Sequence, residues 1–447
     1  MLESQQSIHR IYTMRQQYRQ AIFIIFLAFF IISIPLILIY AAGYRYNFKK
    51  NKLEKTGTFL ASLKTKDAVL YLNGRSYQIR DTLRIKNLLP DDYNIKISKS
   101  GYFDWQKKLS VESELTTFIK DIRLIKNNLP SATANQPIKN FYPSLNKEKL
   151  AYYYYDKKPA SYSISVINLS DEKITAVSQS AQLPLNIGWA PDNNKFFMQT
   201  AGGFKIFDLK SSEASLSFVK TKISELKWDE KNSFILFAKM ADGIYKIDLL
   251  FKTYSKVYSS KIINDFFVSQ NDMYLVESNY LKKIDLGNNS AISIPLERKD
   301  YKINNILNKK IFLISPAEKL QIFNLPIEKT SAPTLLANAV AFDIFEDSLL
   351  FYNDFELWSY DFASNGKELI TRISTKIKKA LWANGTDYIL FATDNKIKLT
   401  ETDKRDQRQV FNAASFPDIG DMIINEKNIL YFIGRANNSP GLYRLEI

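Results

Sequence analysis

Carboxylates are the side chains that this sequence offers in the number and spacing needed for chemistry. Asp208, Asp248, Asp285 and Asp361 each stand between two large apolar residues and recur at nearly constant intervals. Such groups could form an acid–base pair or a calcium site. The structural reading is simpler, because Asx side chains after a strand accept hydrogen bonds from backbone amides of the following turn. A feature that repeats once per unit fits that role better than it fits one active site. Other chemistry is closed off by composition. The chain has no cysteine and one histidine, His9, in a polar tail. No His- or Cys-based triad and no zinc site of the usual His/Cys type can be built from these. Neither a Gly-x-Ser-x-Gly elbow nor a phosphate loop is present, and Ala201-Gly202-Gly203 reads as a hairpin turn. No catalytic, cofactor-binding or metal-binding residue is nominated, and the binding residues stay unidentified.

The elements carrying those carboxylates form a repeat. The beat runs Ile167-Asn168-Leu169, Phe207-Asp208-Leu209, Ile247-Asp248-Leu249, Ile284-Asp285-Leu286, Phe323-Asn324-Leu325 and Tyr360-Asp361-Phe362, at spacings of 40, 40, 37, 39 and 37. It continues more weakly at Leu399-Thr400-Glu401 and Leu445-Glu446-Ile447. An apolar strand precedes each beat, from Leu150–Tyr155 through Ile311–Ile314 to Ile429–Phe432, and turn residues such as 191–194 and 425–428 precede the strand. A period near 40 with several short strands per unit is the signature of β-propeller blades. Eight blades are expected over 139–447, seven if one unit is irregular. The chain ends just after the last beat, so the last blade is expected to lack an outer strand unless the start of the domain supplies it.

Trp189, Trp228 and Trp382 occupy equivalent places and are expected in blade packing. Tyr152 to Tyr155 alternate between faces, which places two of them in the core. The segments Gly188-Trp-Ala-Pro-Asp192, Trp228-Asp229 and Trp382-Ala-Asn384 resemble the Trp-x-Pro-Asp turns of Tol-type periplasmic propellers. That resemblance implies architecture rather than activity.

Upstream, Ala68-Val-Leu-Tyr-Leu72 is a strand closed by the turn pair Asn73-Gly74, and Tyr93–Ile97 alternates apolar and polar after the turn Pro90-Asp91-Asp92. With Gly57, Leu88, Lys99, Gly101-Tyr102 and Trp105, these residues resemble the PEGA domain over 57–125. Its naming motif is reduced to the alanine of Thr65-Lys66-Asp67-Ala68. The resemblance implies a small β-sandwich, an extracytoplasmic adaptor without catalytic residues, and a bacterial membrane protein. Residues 43–125 are read as this module with its juxtamembrane segment. Residues 126–138, KNNLPSATANQPI, lack periodicity and read as a linker.

Residues 21–42, AIFIIFLAFFIISIPLILIYAA, carry no charge and are long enough as a helix to cross the ~30 Å hydrocarbon core of a bilayer. A single transmembrane helix is expected there, bent at Pro35, after a short tail at 1–20. The net charge of +15 is concentrated next to it: residues 44–126 hold 18 Lys or Arg and 9 acids, whereas 127–447 hold 40 and 36. Anionic headgroups or acidic wall polymers suit such a segment. Arg45, Lys49, Lys50, Lys52 and Lys55 just after the span argue for a cytoplasmic bulk, while long domains cross membranes regardless of charge. The resemblances tip the expectation towards a cytoplasmic N-terminus and an extracytoplasmic bulk.

The whole reads as a mainly β, membrane-anchored envelope protein whose propeller binds or scaffolds protein or cell-wall glycan, with no cofactor. The rival is a propeller enzyme using carboxylates or a channel-bound cofactor. A nucleic-acid partner is disfavoured by the near-balanced charge of the propeller region.

Overall fold

The computed structural model describes residues 16–210, 215–383, 385–436 and 439–447. Tail residues 1–15, including His9, Arg10 and Arg15, and turn residue Asn384 lie outside the described residues. The chain divides into two compact units, 1–124 with 405–407, and 125–404 with 408–447.

In the first unit, an α-helix runs Gln16–Ala41. The expected span began at residue 21, but the good helix formers Gln16, Gln17 and Arg19 extend it backwards. It stops before Gly43, whose φ of +86° is the left-handed geometry of a helix C-terminus. The stretch Tyr18–Ala41 is 24 residues long, and none of its most apolar part is buried in the molecule. A hairpin follows, pairing Tyr44–Asn47 with Lys52–Lys55.

Two sheets then enclose one apolar core. One has the strand order Thr82–Leu88, Gly57–Leu63, Thr116–Ile122; the other Arg75–Ile79, Ala68–Leu72, Asp91–Ser98, Trp105–Val111. Period-two patterning is visible in Gly57–Leu63, where buried and half-buried residues alternate throughout. Phe59, Leu70, Ile97, Trp105 and Ile119 meet in the core. Asn73 and Gly74 both have positive φ, 48° and 85°, and make the tight turn that their pairing announces. Pro90-Asp91-Asp92 is shorter as a turn than expected, since Asp91 already begins a strand.

The second unit is a ring of antiparallel sheets. Eight sheets follow one another among the described residues, and in each the strands pair in sequence order, apart from the last. Their first strands are Asn140–Pro143, Asn186–Trp189, Glu225–Trp228, Ile263–Ser269, Lys302–Leu307, Ala341–Phe345, Lys379–Ala383 and Ile419–Ile424. First strands touch across most of the junctions between successive sheets, Lys227 bonds Asp265 across another, and Asn140–Pro143 touches Ile419–Ile424, so the series closes on itself. This is a β-propeller. The second strands expected from the sequence fall where expected: Leu150–Tyr155 inside Lys149–Asp156 and Ile429–Phe432 inside Ile429–Ala436.

The stretch expected as a linker, 126–138, is not one throughout. Ser131–Ala134 is a strand paired with Ser439–Glu446, at the outer edge of the sheet that ends the chain. Ala134 and Ile138 are buried beside Tyr431 and Leu442. Four small residues show no periodicity, yet the chain's last strand needs a partner for its edge amides and carbonyls. Tyr431 also donates its hydroxyl hydrogen to Leu169 O at 3.1 Å, joining the last sheet to the first.

Tyr152 and Tyr153 are both buried, although neighbours in a strand point to opposite faces. Each sheet of the ring is covered on both faces, so Tyr152 packs towards Tyr431 and Tyr153 towards Trp189. Tyr155 is exposed.

Closure gives a test. A Cβ on Gly441 would stand 2.6 Å from the carbonyl oxygen of Ala134, which neither backbone can easily yield. Gly441→Ala is expected to cost about 1–3 kcal/mol and to lower the melting temperature by several degrees. An unchanged melting curve would show that Ser131–Ala134 is not pressed against the last strand.

Candidate functional site

The repeating Asx residues have the structural role that their spacing suggested. Asp208 Oδ1 accepts from Lys210 N at 2.9 Å, Asp248 Oδ1 from Leu250 N at 2.9 Å, and Asp285 Oδ1 from Gly287 N at 2.7 Å. Asn168 and Asp361 do the same for Ser170 N and Ser364 N. All five end third strands and do not converge; in four of them the side chain organises the turn to a fourth strand, while the sheet of Asp208 has three strands among the described residues. The turns before second strands use Asp192 and Asp229 likewise.

What converges is the set of first strands lining the channel. A cavity of about 530 Å³ lies between Asn140–Pro143, Asn186–Trp189, Glu225–Trp228, Ile263–Ser269 and Lys302–Leu307. Tyr142, Trp189, Trp228 and Phe267 supply aromatic surface, Asn186, Gln199, Asn304 and Asn305 supply amides, and Glu225, Lys227, Asp229 and Glu230 supply charge. Its size is that of a small-ligand site, and amides among aromatic faces are the polar fixings such sites use.

Trp189 and Trp228 also hold the wall together. Trp189 Nε1 donates to Tyr142 O at 2.9 Å and Trp228 Nε1 to Gly188 O at 2.8 Å, each bond reaching the preceding first strand. Trp382, equivalent in sequence, is buried, and its backbone N–H donates to Asp343 Oδ2 at 2.8 Å.

One charged cluster stands in this wall. The Asp265 side chain is 3% exposed, and Lys227 Nζ lies 2.8 Å from its Oδ1 and 3.3 Å from Glu225 Oε1. Lys227 also donates to Phe266 O at 2.6 Å. Asp265 accepts from Phe266 N at 2.9 Å and from Ile303 N of the next first strand at 2.7 Å. The two carboxyls, hydrogen-bonded to one another, are pushed apart by these surroundings. Burial raises Glu225; Lys227 pulls it back only in part, and the neighbouring Asp265 adds to the rise. Burial also works to raise Asp265, but Lys227 and the hydrogen bonds outweigh it and hold this carboxyl below its usual value. Asp343 is a second, half-buried acid, raised by loss of solvent against the pull of Trp382 N.

Sequence reasoning missed this cluster. The signal was a polar period inside apolar strands: Lys227 to Asp265 is 38 residues, as is Asp265 to Ile303, and Asp343 to Trp382 is 39. These are one-repeat intervals, each linking one first strand to the next. Among the described residues no group of three or more His, Cys, Asp or Glu is disposed to hold a metal ion.

No protein-family model matches the chain, and no curated protein does. Solved structures that resemble it are propellers. The β-propeller domain of Cps50 (Swd1) from Myceliophteria thermophila is 8% identical, with a TM-score of 0.44, covering 71% of this chain and 99% of that one. Sqt1 of Saccharomyces cerevisiae is 10% identical with a TM-score of 0.48, covering 72% and 98%. The Dos1 propeller is 11% identical with a TM-score of 0.49, covering 70% and 94%. The propeller assignment rests on the pairing of this chain's own strands.

Removing Lys227 would leave Asp265 buried without its cation, and losing one partner of such a pair costs about 3 kcal/mol. In Lys227→Met the orphaned carboxyl takes a raised value. A raised acid favours folding below its unfolded value and loses that contribution as pH rises. The variant is therefore expected to be most destabilised at pH 7 and to recover towards the parent near pH 4. Denaturant melts at both pH values check this, and an equal loss at both would remove the charge from the explanation.

Proposed function

We propose that this is a single-pass, membrane-anchored envelope protein whose propeller is a binding or scaffolding module. The helix is its anchor, the basic PEGA-like sandwich over 43–125 its stalk, and each of the eight sheets one blade. The N-terminus is cytoplasmic and the bulk extracytoplasmic. The ligand is a protein or cell-wall glycan taken at the channel. The channel cavity carries this reading: aromatic faces and side-chain amides line it, and the buried Asp265 next to its lining residue Lys227 is committed to neighbouring strands. Such a lining holds a ligand by stacking and hydrogen bonds.

The enzyme reading draws on one observation, the raised Glu225 carboxyl beside Asp265 in the cavity wall. An acid–base catalyst needs a group of that kind. Against it, Lys227, Phe266 N and Ile303 N already occupy the oxygens of Asp265.

Two experiments test the proposal. Because the chain lacks cysteine, Asn289→Cys should react in intact cells with a thiol reagent that cannot cross the membrane, whereas Ser4→Cys should react only after lysis. The reverse pattern would place the propeller inside. Immobilised full-length protein should retain its ligand from solubilised envelope. The double variant Asn186→Ala/Asn304→Ala, altering only cavity-lining amides, should lose most of that retention with an unchanged melting temperature. Undiminished retention would move the ligand off the channel.

A further inference from the structure

The hairpin that follows the helix presents an apolar face that nothing in its own unit covers. Cross-strand register puts Tyr46 opposite Leu53 and Tyr44 opposite Lys55 on one face, with Arg45 opposite Glu54 and Asn47 opposite Lys52 on the other. Tyr46 and Leu53 are each 46% exposed, and Phe48 at the tip is 84% exposed. The Phe48 ring meets that of Tyr46 edge-on, with centroids 5.0 Å apart. Lysines flank this patch: Lys49, its side chain 84% exposed, lies 3.3 Å from Asp91 Oδ2, and Lys52, 58% exposed, lies 2.8 Å from Glu54 Oε1, surface pairs weak enough for headgroup phosphates to compete with.

The tip is built rather than loose. Asn47 is buried, its Oδ1 accepts from Lys49 N at 3.0 Å and Lys50 N at 3.2 Å, and its amide donates to Glu54 Oε2 at 2.6 Å. Lys50 Nζ reaches Pro90 O at 3.0 Å, which ties the tip to the sandwich. Phe48 is thus held outward by a fixed turn.

The hairpin is also fixed to the helix. Two residues separate Ala41 from Tyr44. Arg45 Nη1 donates to Tyr40 O at 2.8 Å, and its guanidinium carbon lies 3.5 Å from the centre of the Tyr40 ring. Thr56, just past the hairpin, bonds back to Gly43 O through both N at 3.0 Å and Oγ1 at 2.9 Å. A helix that crosses the ~30 Å hydrocarbon core ends where the headgroup layer begins, and that layer is only ~5–8 Å deep on each side. A hairpin bolted to the helix end starts inside it.

We infer that the hairpin is a membrane-surface element, with Tyr46, Phe48 and Leu53 set into the headgroup layer and Lys49 and Lys52 against anionic phospholipid. Aromatic rings favour this depth, and lysines beside them gain from negative headgroups. The hairpin thereby fixes the tilt of whatever follows it, as a second contact beyond the single span. The inference rests on the membrane-anchored reading above.

The test uses the full chain in liposomes containing phosphatidylglycerol, with single spin labels at Phe48→Cys, at Leu53→Cys and, as a reference, at Asn289→Cys in a propeller turn. Oxygen dissolves in lipid and a nickel chelate in water, so their relaxation effects report immersion. The expected result is that the labels at 48 and 53 collide with oxygen several-fold more, relative to nickel, than the label at 289. The contrast should shrink in purely zwitterionic liposomes. If the chain floats with the liposomes but 48 and 53 match 289, the hairpin stands clear of the membrane and the inference fails while the anchor survives. If immersion is the same in zwitterionic liposomes, the role given to the lysines is overturned. If the chain does not float at all, the anchor itself fails and takes the inference with it.

Discussion

A ring of sheets has a seam, and everything else in the larger unit depends on how that seam is shut. Here the start of the domain, Ser131–Ala134, pairs with the last strand, Ser439–Glu446. Without that pairing the last sheet would expose an open edge, and its neighbours would lose the packing that buries Ile138, Tyr431 and Leu442. The contact joins residues more than 300 positions apart, so the chain closes a very long loop to make it. That loop entropy grows only slowly with length, and the covered core on both sides of the seam offsets it. Further ties cross the same place: Lys126 pairs with Glu446, Arg444 with Glu172, and Tyr431 bonds to Leu169 O.

Inside the ring, polar side chains carry order from one sheet to the next. Apolar packing between twisted sheets is tolerant of small slides, whereas a hydrogen bond to one backbone atom is not. Asp265 to Ile303 N, Asp343 to Trp382 N, Trp189 to Tyr142 O and Trp228 to Gly188 O each fix the register of neighbouring first strands. The channel wall is built from these same strands. Its cavity is therefore shaped by bonds that leave amides such as Asn186 and Asn304 facing open space. A rigid wall with a few available polar groups is suited to selecting a ligand without a large ordering cost.

Much of this was legible in the sequence. The Asx beat gave the period, and the structure puts Asn168, Asp208, Asp248, Asp285 and Asp361 at third-strand ends, bonding the turns as expected. The apolar helix, the Asn73-Gly74 hairpin and the alternating strands of the small sandwich could be read because each is a local pattern. The closure itself was also expected, since the last blade lacks an outer strand unless the start of the domain supplies it; what could not be read was which residues supply it. Ser131–Ala134 has no apolar alternation and becomes a strand only because a partner edge waits at the other end of the chain. Tyr152 and Tyr153 are both buried because their sheet is covered on two faces, which alternation within one strand does not reveal. The cluster of Glu225, Lys227 and Asp265 is scattered over two repeats, and its members become neighbours only once first strands are known to stand side by side.

The most direct test of this account is amide hydrogen exchange on the full chain, followed at the seam. If the ring is closed as described, the paired amides of Ser131–Ala134 and Ser439–Glu446 exchange only with the global unfolding of the propeller, alongside those of the inner strands such as Ile235–Met240. Exchange of Ser131–Ala134 as fast as that of exposed turns, with the inner strands still protected, would contradict it: the ring would be open and 126–138 a linker after all.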